Sequence, residues 1–302
     1  MSEPIIYAVG ETVFDIIFRN FEPRAAKPGG SAFNAAITLG RLGIPVRFIS
    51  EVGNDRIGNH ILGFLEENNV DPRYVVKFED GRSALALAFL NDDADASYDF
   101  YKDYPRQRLR ETFPDFTASD YLLFGSFYGL NPALRPRIRQ LLRAARHGRS
   151  LVFYDPNFRS SHLADLDRLK RTIEENFKAS GIVRASDEDM YNIYGVTDVE
   201  QAYEKVSGFC KIFVYTANSH GVDLMTPDFR LHVDVDRIEP VSTIGAGDTF
   251  NAGILSGLYR RRVTANDLHK LDEATWREIL VTAAELSREV CLTYDNYISG
   301  NL

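Results

Sequence analysis

Short apolar runs alternate along the chain with segments that carry their apolar residues at helical spacing. The runs with the pattern of buried strands are residues 5–10, 46–52, 121–125, 151–154, 181–183 and 212–215. Helices are predicted over residues 31–42, 57–68 and 132–147. This alternation predicts an α/β fold, with a mostly parallel central sheet between layers of helices. In such sheets ligands bind at the carboxyl ends of the strands.

Two segments, residues 12–21 and 82–104, interrupt this alternation. Both have the pattern of extended hairpins, and in the second the runs 84–90 and 97–102 flank the turn Asn91-Asp92-Asp93-Ala94-Asp95. Neither fits a β-α-β unit. We therefore expect a small β-sheet that acts as a lid, the alternative being a surface hairpin without a role. Because no linker or repeat interrupts residues 1–302, a single domain is predicted.

Composition narrows the possible partners. The formal net charge is −8 and the sequence pI is about 5.4, which argues against a surface that binds nucleic acid. No apolar run approaches the length of a membrane span, and the first residues do not resemble a signal peptide. The two cysteines, Cys210 and Cys291, lack metal-ligand spacing. We expect a cytoplasmic protein.

The segment 242–253, Ser-Thr-Ile-Gly-Ala-Gly-Asp-Thr-Phe-Asn-Ala-Gly, carries the most specific chemistry. Small residues at Gly245, Ala246 and Gly247 allow a phosphate to approach the backbone at the start of a helix. An acid at Asp248 would repel that phosphate, unless it takes a proton from a hydroxyl that attacks phosphorus. The alternative is an ordinary helix that begins at a capping aspartate.

Polar residues suited to a polyol follow the first strand. Asp15 is a carboxylate that could hold neighbouring hydroxyls, and Gly29-Gly30 opens a helix of small residues that a ligand can approach closely. Asn34, near the start of that helix, can donate to and accept from a sugar hydroxyl. The alternatives are a solvated loop acid and tight helix packing.

The turn Asp155-Pro156-Asn157-Phe158-Arg159 follows the fourth strand and presents three polar side chains. Arg159 suits a phosphate or a carboxylate, the alternative being a turn with a surface salt bridge.

Two further polar loops follow the fifth and sixth strands. The acidic run Ser186-Asp187-Glu188-Asp189 could hold magnesium through water, or could be an acidic helix start that the helix dipole favours. The loop that contains Thr216, Asn218 and Gly221 suits contacts with a nucleotide.

Over essentially its whole length the chain resembles the ribokinase-like sugar kinases of the PfkB family. The Gly29-Gly30 helix start resembles the N-terminal signature of that family, and residues 243–253 resemble its more specific C-terminal signature. The turn Asp155-Pro156-Asn157-x-Arg159 is similar to the fructokinase and 2-keto-3-deoxygluconate kinase branch.

The resemblance implies a three-layer α/β/α fold and transfer of a phosphoryl group from ATP, with Mg²⁺, to a primary sugar hydroxyl. Asp248 would be the base and Gly245–Gly247 the anion hole. The expected sugar contacts are Asp15, Gly29, Gly30, Asn34, Asp155, Asn157 and Arg159. The expected nucleotide contacts are Thr216, Asn218, Gly221, Gly245 and Gly247, with Asp189 acting on the metal through water.

Four segments depart from the family pattern. Ser186-x-x-Asp189 stands for Asn-x-x-Glu, Asn218 for a glycine, and Ser242-Thr243-Ile244 for Asp-Thr-Thr. Residues 291–294 lack the small turn that often helps to bind a monovalent cation, so we expect weak or absent potassium activation. Asn218 is expected to preserve its turn, because Asn tolerates a left-handed backbone.

Fructose is the expected substrate, and 2-keto-3-deoxygluconate, ribose, a nucleoside or a phosphosugar are alternatives. A phosphosugar would need cations such as Arg24, Lys27, Lys102 or Arg106 facing the pocket. A sugar-sensing protein without catalysis is the alternative outside enzymes. Because a β-sheet lid has edges that can pair, a homodimer through the lid is also expected.

Overall fold

Strands and helices alternate along the chain as the sequence predicts. The structure, a computed structural model, describes residues 3–91, 96–110 and 112–300. The strands are β1 Ile6–Val9, β2 Val13–Arg19, β3 Glu22–Gly29, β4 Val46–Gly53, β5 Val70–Phe78, β6 Arg82–Leu90, β7 Ala96–Asp103, β8 Tyr121–Gly125, β9 Leu151–Asp155, β10 Ile182–Ser186, β11 Ile212–Thr216, β12 Val222–Met225 and β13 Arg230–Val233. The helices are α1 Ser31–Arg41, α2 Arg56–Glu67, α3 Ser126–Leu130, α4 Arg135–Gly148, α5 Leu166–Ala179, α6 Asp187–Tyr194, α7 Val199–Val206, α8 Ala246–Arg260 and α9 Glu273–Cys291.

The chain divides into two compact units. Unit 1 is built mainly from residues 114–237 and 261–281, and unit 2 from residues 5–113, 238–260 and 282–302, each in its described part.

The sheet of unit 1 has the strand order β13-β12-β11-β10-β9-β8, in which β8 to β11 run parallel and β12 and β13 run antiparallel. Strands β8 and β9 are buried along their whole length, which explains their continuous apolar sequences. In register, Gly125 lies opposite Asp155, and Ser186 lies opposite Thr216. The carboxyl ends of these strands therefore carry polar residues.

Unit 2 contains the parallel strands β1, β4 and β5, in the order β1-β4-β5, and a separate four-stranded sheet in the order β3-β2-β6-β7. In the small sheet β2 pairs parallel with β6, whereas the other two pairs are antiparallel. The segments 12–21 and 82–104 supply β2, β6 and β7. Of the predicted turn 91–95, residues 92–95 lie outside the described residues.

Strands β12 and β13 have no counterpart in the sequence prediction, and neither do strands β3 and β5. Both contain proline, at Pro23 and Pro28 in β3 and at Pro72 in β5, and the first residues of β3 are exposed. Each lies at an edge of its sheet, the position at which a strand tolerates proline. The prolines and the exposed residues of β3 and β5 therefore hid these two strands from a prediction based on apolar runs.

Two buried helices of unit 2 position the polar residues of interest. Most residues of α1 and α8 are buried, which suits their small side chains, and the two helices pack together. The hydroxyls of Thr38 and Thr249 lie 3.4 Å apart between them. Helix α8 also approaches residues 282–291 of α9. An added Cβ on Gly253 would lie 2.5 Å from the Ala283 Cα, so this second approach requires glycine.

Candidate active site

The turn before α8 has the geometry of an anion-binding helix start. Gly245 has φ +82°, and an added Cβ would lie 2.0 Å from the Asn296 carbonyl oxygen, so the position requires glycine. The Thr249 N–H donates to the Gly245 carbonyl (2.8 Å), which closes the first turn. Asp248 lies in this turn and is buried. The positive end of the helix dipole therefore lies beside a buried carboxylate.

Asn34 of α1 fixes the orientation of the Asp248 side chain. Its Nδ2 donates to Asp248 Oδ2 at 2.8 Å, and both side chains are buried. The Oδ1 atom of Asn34 is buried without a hydrogen-bond partner among the described residues. An unmet buried acceptor costs about 1–3 kcal/mol, which a ligand hydroxyl could recover.

Asp15 of β2 is a buried carboxyl whose pKa is raised to about 7. Burial is the main cause, and the negative charge of Asp248 also raises the pKa. The hydrogen bond from Asn296 and the charge of Lys27 lower it. Asn296 Nδ2 donates to Asp15 Oδ2 at 3.0 Å. The two predicted site residues therefore lie close enough for the charge of Asp248 to act on the Asp15 carboxyl.

The glycine pair 29–30 is required by close packing. An added Cβ on Gly29 would lie 1.9 Å from Asp15 Oδ2, so this glycine gives the carboxylate its room. Gly30 precedes α1 with φ +120°, and an added Cβ would lie 2.2 Å from the Glu11 carbonyl oxygen. Both the carboxylate and the helix start therefore depend on these glycines.

Arg184 ties together the carboxyl ends of three strands in unit 1. Its Nη1 donates to Asp155 Oδ2 (3.0 Å) and its Nη2 to Thr216 Oγ1 (2.6 Å). The other oxygen of Asp155 accepts from the Asn157 N–H (3.0 Å). Asp155 and Thr216, both predicted site residues, are therefore held by a buried guanidinium.

Asp189 completes a capping box at the start of α6. Its Oδ2 accepts from the Ser186 N–H (2.8 Å) and hydroxyl (2.6 Å), and its Oδ1 accepts a short hydrogen bond from the Phe158 N–H. Burial, followed by the charge of Asp155, raises the pKa of Asp189, while Arg184 lowers it. With both oxygens engaged, Asp189 fits the predicted alternative of a helix start better than direct coordination of magnesium.

No group of three or more potential metal ligands (His, Cys, Asp or Glu) occurs within residues 3–91, 96–110 and 112–300. The residues of this strand edge therefore do not fit an ion held by the protein alone.

Arg159 lies at the surface beside Glu188, with an N···O distance of 3.1 Å. This contact is the salt bridge expected as the alternative to a substrate role. Asn157 adopts a left-handed backbone with φ +39°. The 155–159 turn is thus held by Asp155, while its arginine is more than half exposed.

The loop after β11 keeps a tight turn despite the departure at Asn218. That residue has φ +46°, the left-handed conformation that asparagine tolerates, which confirms the expectation that the turn survives. The Ala217 N–H donates to the Gly221 carbonyl at 3.0 Å, and Gly221 has φ +94°. Ile244, a second departure, packs against the small-sheet core residues Ile17, Ala88 and Leu90.

The cations that a phosphosugar would need are largely neutralised. Arg24 lies beside Glu22, Lys27 beside Asp295, and Lys102 beside Glu11. Arg106 is exposed.

Two site residues were missed by the sequence analysis, Asn296 and Arg184. Asn296 lies 281 positions from the carboxylate that it contacts, and no local pattern marks it. Arg184 lies inside a short apolar strand, and its charge was a signal, because a cation in a buried strand requires a partner.

The chain matches one protein family over most of its length. The family model described as "pfkB family carbohydrate kinase" matches residues 8–295. A fructokinase of Rhizobium leguminosarum bv. trifolii is 30% identical over 285 residues, which cover 90% of this chain and 86% of that protein.

Solved structures show the same fold. The fructokinase of Vibrio cholerae O395, with fructose, ADP and calcium bound, superposes with a TM-score of 0.85 at 22% identity, over 100% of this chain and 97% of that one. The aminoimidazole riboside kinase of Salmonella enterica gives 0.81 at 22% identity, over 97% and 95%. The predicted ribokinase-like α/β fold, with a large mostly parallel sheet and a small, mostly antiparallel one, is thereby confirmed.

Among the helices of the described residues, none is long and apolar enough to cross a bilayer.

Proposed function

Because the chain belongs to the pfkB family of carbohydrate kinases, we propose that it transfers the γ-phosphoryl group of ATP to a primary hydroxyl of fructose. Membership makes the protein a phosphotransferase that acts on a sugar hydroxyl. The proposal rests on the buried hydrogen bond from Asn34 of α1 to Asp248 of α8. The amide oxygen of Asn34 has no hydrogen-bond partner among the described residues.

Asp248 is the proposed general base. Asn34 holds one oxygen of its carboxylate, and a hydroxyl that approaches this residue would pass its proton to the carboxylate as its oxygen attacks phosphorus. The N–H groups of Gly245 and Gly247 would stabilise the charge that develops on the transferred group, and that of Ala246 would join them by leaving the Thr243 carbonyl, to which it donates at 3.3 Å. Positioning and charge stabilisation supply most of the catalysis in such reactions.

Asp15 and Asn34 are the proposed main contacts for the sugar hydroxyls, with Gly29 and Gly30 making room for them. An ionised Asp15 can accept hydrogen bonds from sugar hydroxyls through the oxygen that Asn296 does not occupy, whereas its protonated form loses much of this capacity. We keep Asp155, Asn157 and Arg159 as predicted substrate contacts. Asp155 would act mainly by holding the turn, since both of its oxygens already accept hydrogen bonds.

The turn that contains Thr216, Asn218 and Gly221 is the proposed contact for the nucleotide, and Gly245 and Gly247 are proposed to contact its phosphates. Magnesium enters this proposal as the ion carried by ATP, because Asp189 has both oxygens engaged. Asp189 would reach that ion only through water, and no step of the reaction is assigned to this contact.

We propose fructose as the acceptor because relatives named fructokinase match this chain over most of its length, as the Rhizobium protein does. A phosphorylated acceptor is disfavoured, since Arg24, Lys27 and Lys102 each lie beside a carboxylate. 2-Keto-3-deoxygluconate, ribose and nucleosides are the alternative acceptors.

A coupled ATP-consumption screen tests the assignment. Purified protein with ATP and magnesium is supplied in turn with fructose, 2-keto-3-deoxygluconate, ribose, fructose 1-phosphate and nucleosides. We expect the largest kcat/KM with fructose, and a larger value with another acceptor would replace the substrate. Sugar binding by calorimetry without turnover of any acceptor would identify a sugar sensor.

The small sheet formed by β2, β3, β6 and β7 is the proposed lid, built around the predicted segments 12–21 and 82–104. A closing lid would exclude water from the reaction. Its surface exposes Phe21 (85%), Tyr101 (59%) and Phe100 (48%), which supports pairing with a second copy of the chain. Sedimentation should give a dimer for the native protein and a monomer after Phe21→Ser. A native monomer would contradict the pairing.

We expect weak potassium activation, although a fructokinase double mutant of Vibrio cholerae O395 was crystallised with potassium bound. The expectation rests on the absence of a small turn at residues 291–294. Turnover in buffer free of sodium and potassium should change less than about twofold when potassium is added, since the anion hole is already supplied by backbone N–H groups. A rise of tenfold would contradict it.

A further inference from the structure

The segment after α9 is anchored within unit 2. Arg41 donates a short hydrogen bond to the Ile298 carbonyl oxygen, and its guanidinium lies 4.7 Å from the centre of the Tyr297 ring. The Ser299 N–H donates to Glu289 Oε1 at 2.9 Å. Asn296, in the middle of this segment, is fully buried. The segment therefore holds one asparagine in a fixed place.

Asn296 contacts both parts of the site in unit 2. Its side-chain Nδ2 donates to Asp15 Oδ2 at 3.0 Å. Its backbone carbonyl packs against Gly245, where an added Cβ would lie 2.0 Å away. A single residue thus touches the carboxylate proposed to hold the sugar and the turn proposed to hold the phosphate.

We infer that Asn296 is a positioning residue for the sugar site, which orients Asp15 and favours its ionised carboxylate. The inference rests on the proposed sugar-binding role of Asp15. Among the described residues Asp15 Oδ1 accepts no hydrogen bond, so the amide occupies one oxygen and leaves the other for substrate. A donor that is itself buried and fixed orients a carboxylate better than water does.

The ionisation of Asp15 depends on the balance between the groups around it, of which the amide of Asn296 is one. Burial and the charge of Asp248 raise the pKa of Asp15, whereas the amide of Asn296 and the charge of Lys27 lower it. Lys27 also lies beside Asp295, so its charge is shared with a second carboxylate. A hydrogen bond to the charged form of an acid stabilises that form. Loss of the amide should therefore raise the pH at which Asp15 ionises.

A purely structural role for Asn296 makes a different prediction. It would lower stability in any variant without changing the ionisation of Asp15. The two roles separate in Asn296→Ala, which removes the donor. Asn296→Asp adds a third carboxyl beside Asp15 and Asp248, and it shows how far an added charge at this position moves the Asp15 titration. If Asn296 positions Asp15, the pKa of Asp15 rises in the order wild type, Asn296→Ala, Asn296→Asp.

The first experiment measures this pKa without sugar or ATP. Carbon-13 spectra of protein labelled at the aspartate carboxyls are recorded across pH, and the Asp15 resonance is the one lost in Asp15→Asn. We expect a rise of about one unit or more in Asn296→Ala, a tenfold shift in the ionisation equilibrium. Asn176→Ala, which removes another fully buried asparagine, serves as the control and should leave the Asp15 titration unchanged. An Asp15 pKa in Asn296→Ala equal to that of the wild type would overturn the inference.

The second experiment follows kcat and KM for the sugar across pH. At about pH 7 we expect the KM of Asn296→Ala to rise about fivefold or more while kcat changes less than about threefold. A rise of the Asp15 pKa from about 7 to about 8 lowers the ionised fraction at this pH from about one half to about one tenth, and sugar binding depends on an ionised Asp15. The rise should shrink as pH increases, since Asp15 then ionises without the amide. Tyr297→Phe, a change in the same segment that keeps Asn296, should behave as the wild type. A KM that is raised equally at every pH would assign Asn296 a structural role.

Failure of the proposed function gives a separate result. A wild-type protein that phosphorylates no acceptor would defeat that proposal, while the carboxyl titration would still report whether Asn296 controls Asp15. Normal turnover with an unshifted titration in Asn296→Ala would defeat the inference alone.

Discussion

Asp155 and Asp189 of unit 1 are held in a different way from Asp15 of unit 2, although all three are buried. In unit 1, Arg184 donates to Asp155, and Asp189 accepts hydrogen bonds on both oxygens. In unit 2, Asp15 receives a single amide donor among residues 3–91, 96–110 and 112–300, and it lies close enough to Asp248 for their charges to interact. Asp155 and Asp189 of unit 1 are therefore engaged by the fold, whereas Asp15 of unit 2 keeps one oxygen for a ligand.

The amides of unit 2 show the same unmet capacity. Asn34 Oδ1 and Asn296 Oδ1 are both buried without a hydrogen-bond partner among the described residues. Two such acceptors cost the fold about 1–3 kcal/mol each. Local arrangements that cost stability are typical of functional sites, and these two acceptors belong to the side chains that donate to Asp248 and Asp15.

The largest effect is expected from Asp248→Asn. The asparagine keeps the shape of the side chain but cannot take the proton of the attacking hydroxyl, so kcat should fall by about 10³-fold or more. The Kd for the sugar, measured by calorimetry, should change less than about threefold. Asp120→Asn, the same change at a buried aspartate that accepts hydrogen bonds from Thr117, is the control and should keep its turnover. Near-normal turnover of Asp248→Asn would remove this residue from the mechanism.

Arg184→Met should reduce stability rather than report on a chemical step. It leaves Asp155 and Asp189 without their shared cation, and removal of one partner of a buried ion pair costs about 3–5 kcal/mol. Urea unfolding measures this loss. The double variant Arg184→Met/Asp155→Asn should recover part of it, because one of the two charges is then absent. Equal stability of the wild type and Arg184→Met would contradict the account of unit 1.

The pH dependence of sugar use should report on Asp15. Its pKa is raised to about 7, so the carboxyl is largely protonated below that pH and accepts fewer hydrogen bonds from sugar hydroxyls. The value of kcat/KM for the sugar should therefore rise with pH through about 7 and level off above it. In Asp15→Asn this step should disappear and KM should rise by about tenfold, the effect of losing one hydrogen bond to a charged group. A profile of Asp15→Asn that still contains the step would assign it to another group.

The smallest effect is expected at the start of α6. Ser186→Ala removes the hydroxyl that caps the helix and also donates to Asp189, which costs about 1 kcal/mol of unfolding free energy. Ser186→Thr keeps a hydroxyl and is the matched control. A loss in Ser186→Ala as large as that of Arg184→Met would mean that the capping box, and not the guanidinium, holds this edge.

The sequence was sufficient for features that have a local cause. The alternation of apolar runs predicted the parallel sheet, and residues 245–248 read as a helix start because glycine and small residues are required there. The left-handed Asn218 was predicted for the same reason, since its conformation depends on its own side chain.

Features that depend on distant partners were not predicted. Asn296 is important only because it meets Asp15, and Arg184 only because Asp155 and Thr216 lie at the ends of neighbouring strands. Strand β3, charged and rich in proline, is a strand because β2 pairs with it. Such contacts are set by the fold: the charge of Arg184 indicates that it needs a partner, but the local sequence does not say which one.

The free energy of unfolding of Asp15→Asn at about pH 8 tests most directly whether this acid is kept for a ligand rather than for the fold. Because the folded pKa lies above that of the unfolded chain, the ionised carboxyl destabilises the native state increasingly from about pH 4 up to about 7, and this destabilisation then stays constant. A neutral asparagine avoids it and can still accept from Asn296. We predict that Asp15→Asn is more stable than the wild type at this pH, although it binds the sugar more weakly. A loss of stability comparable to that of Arg184→Met would contradict the account.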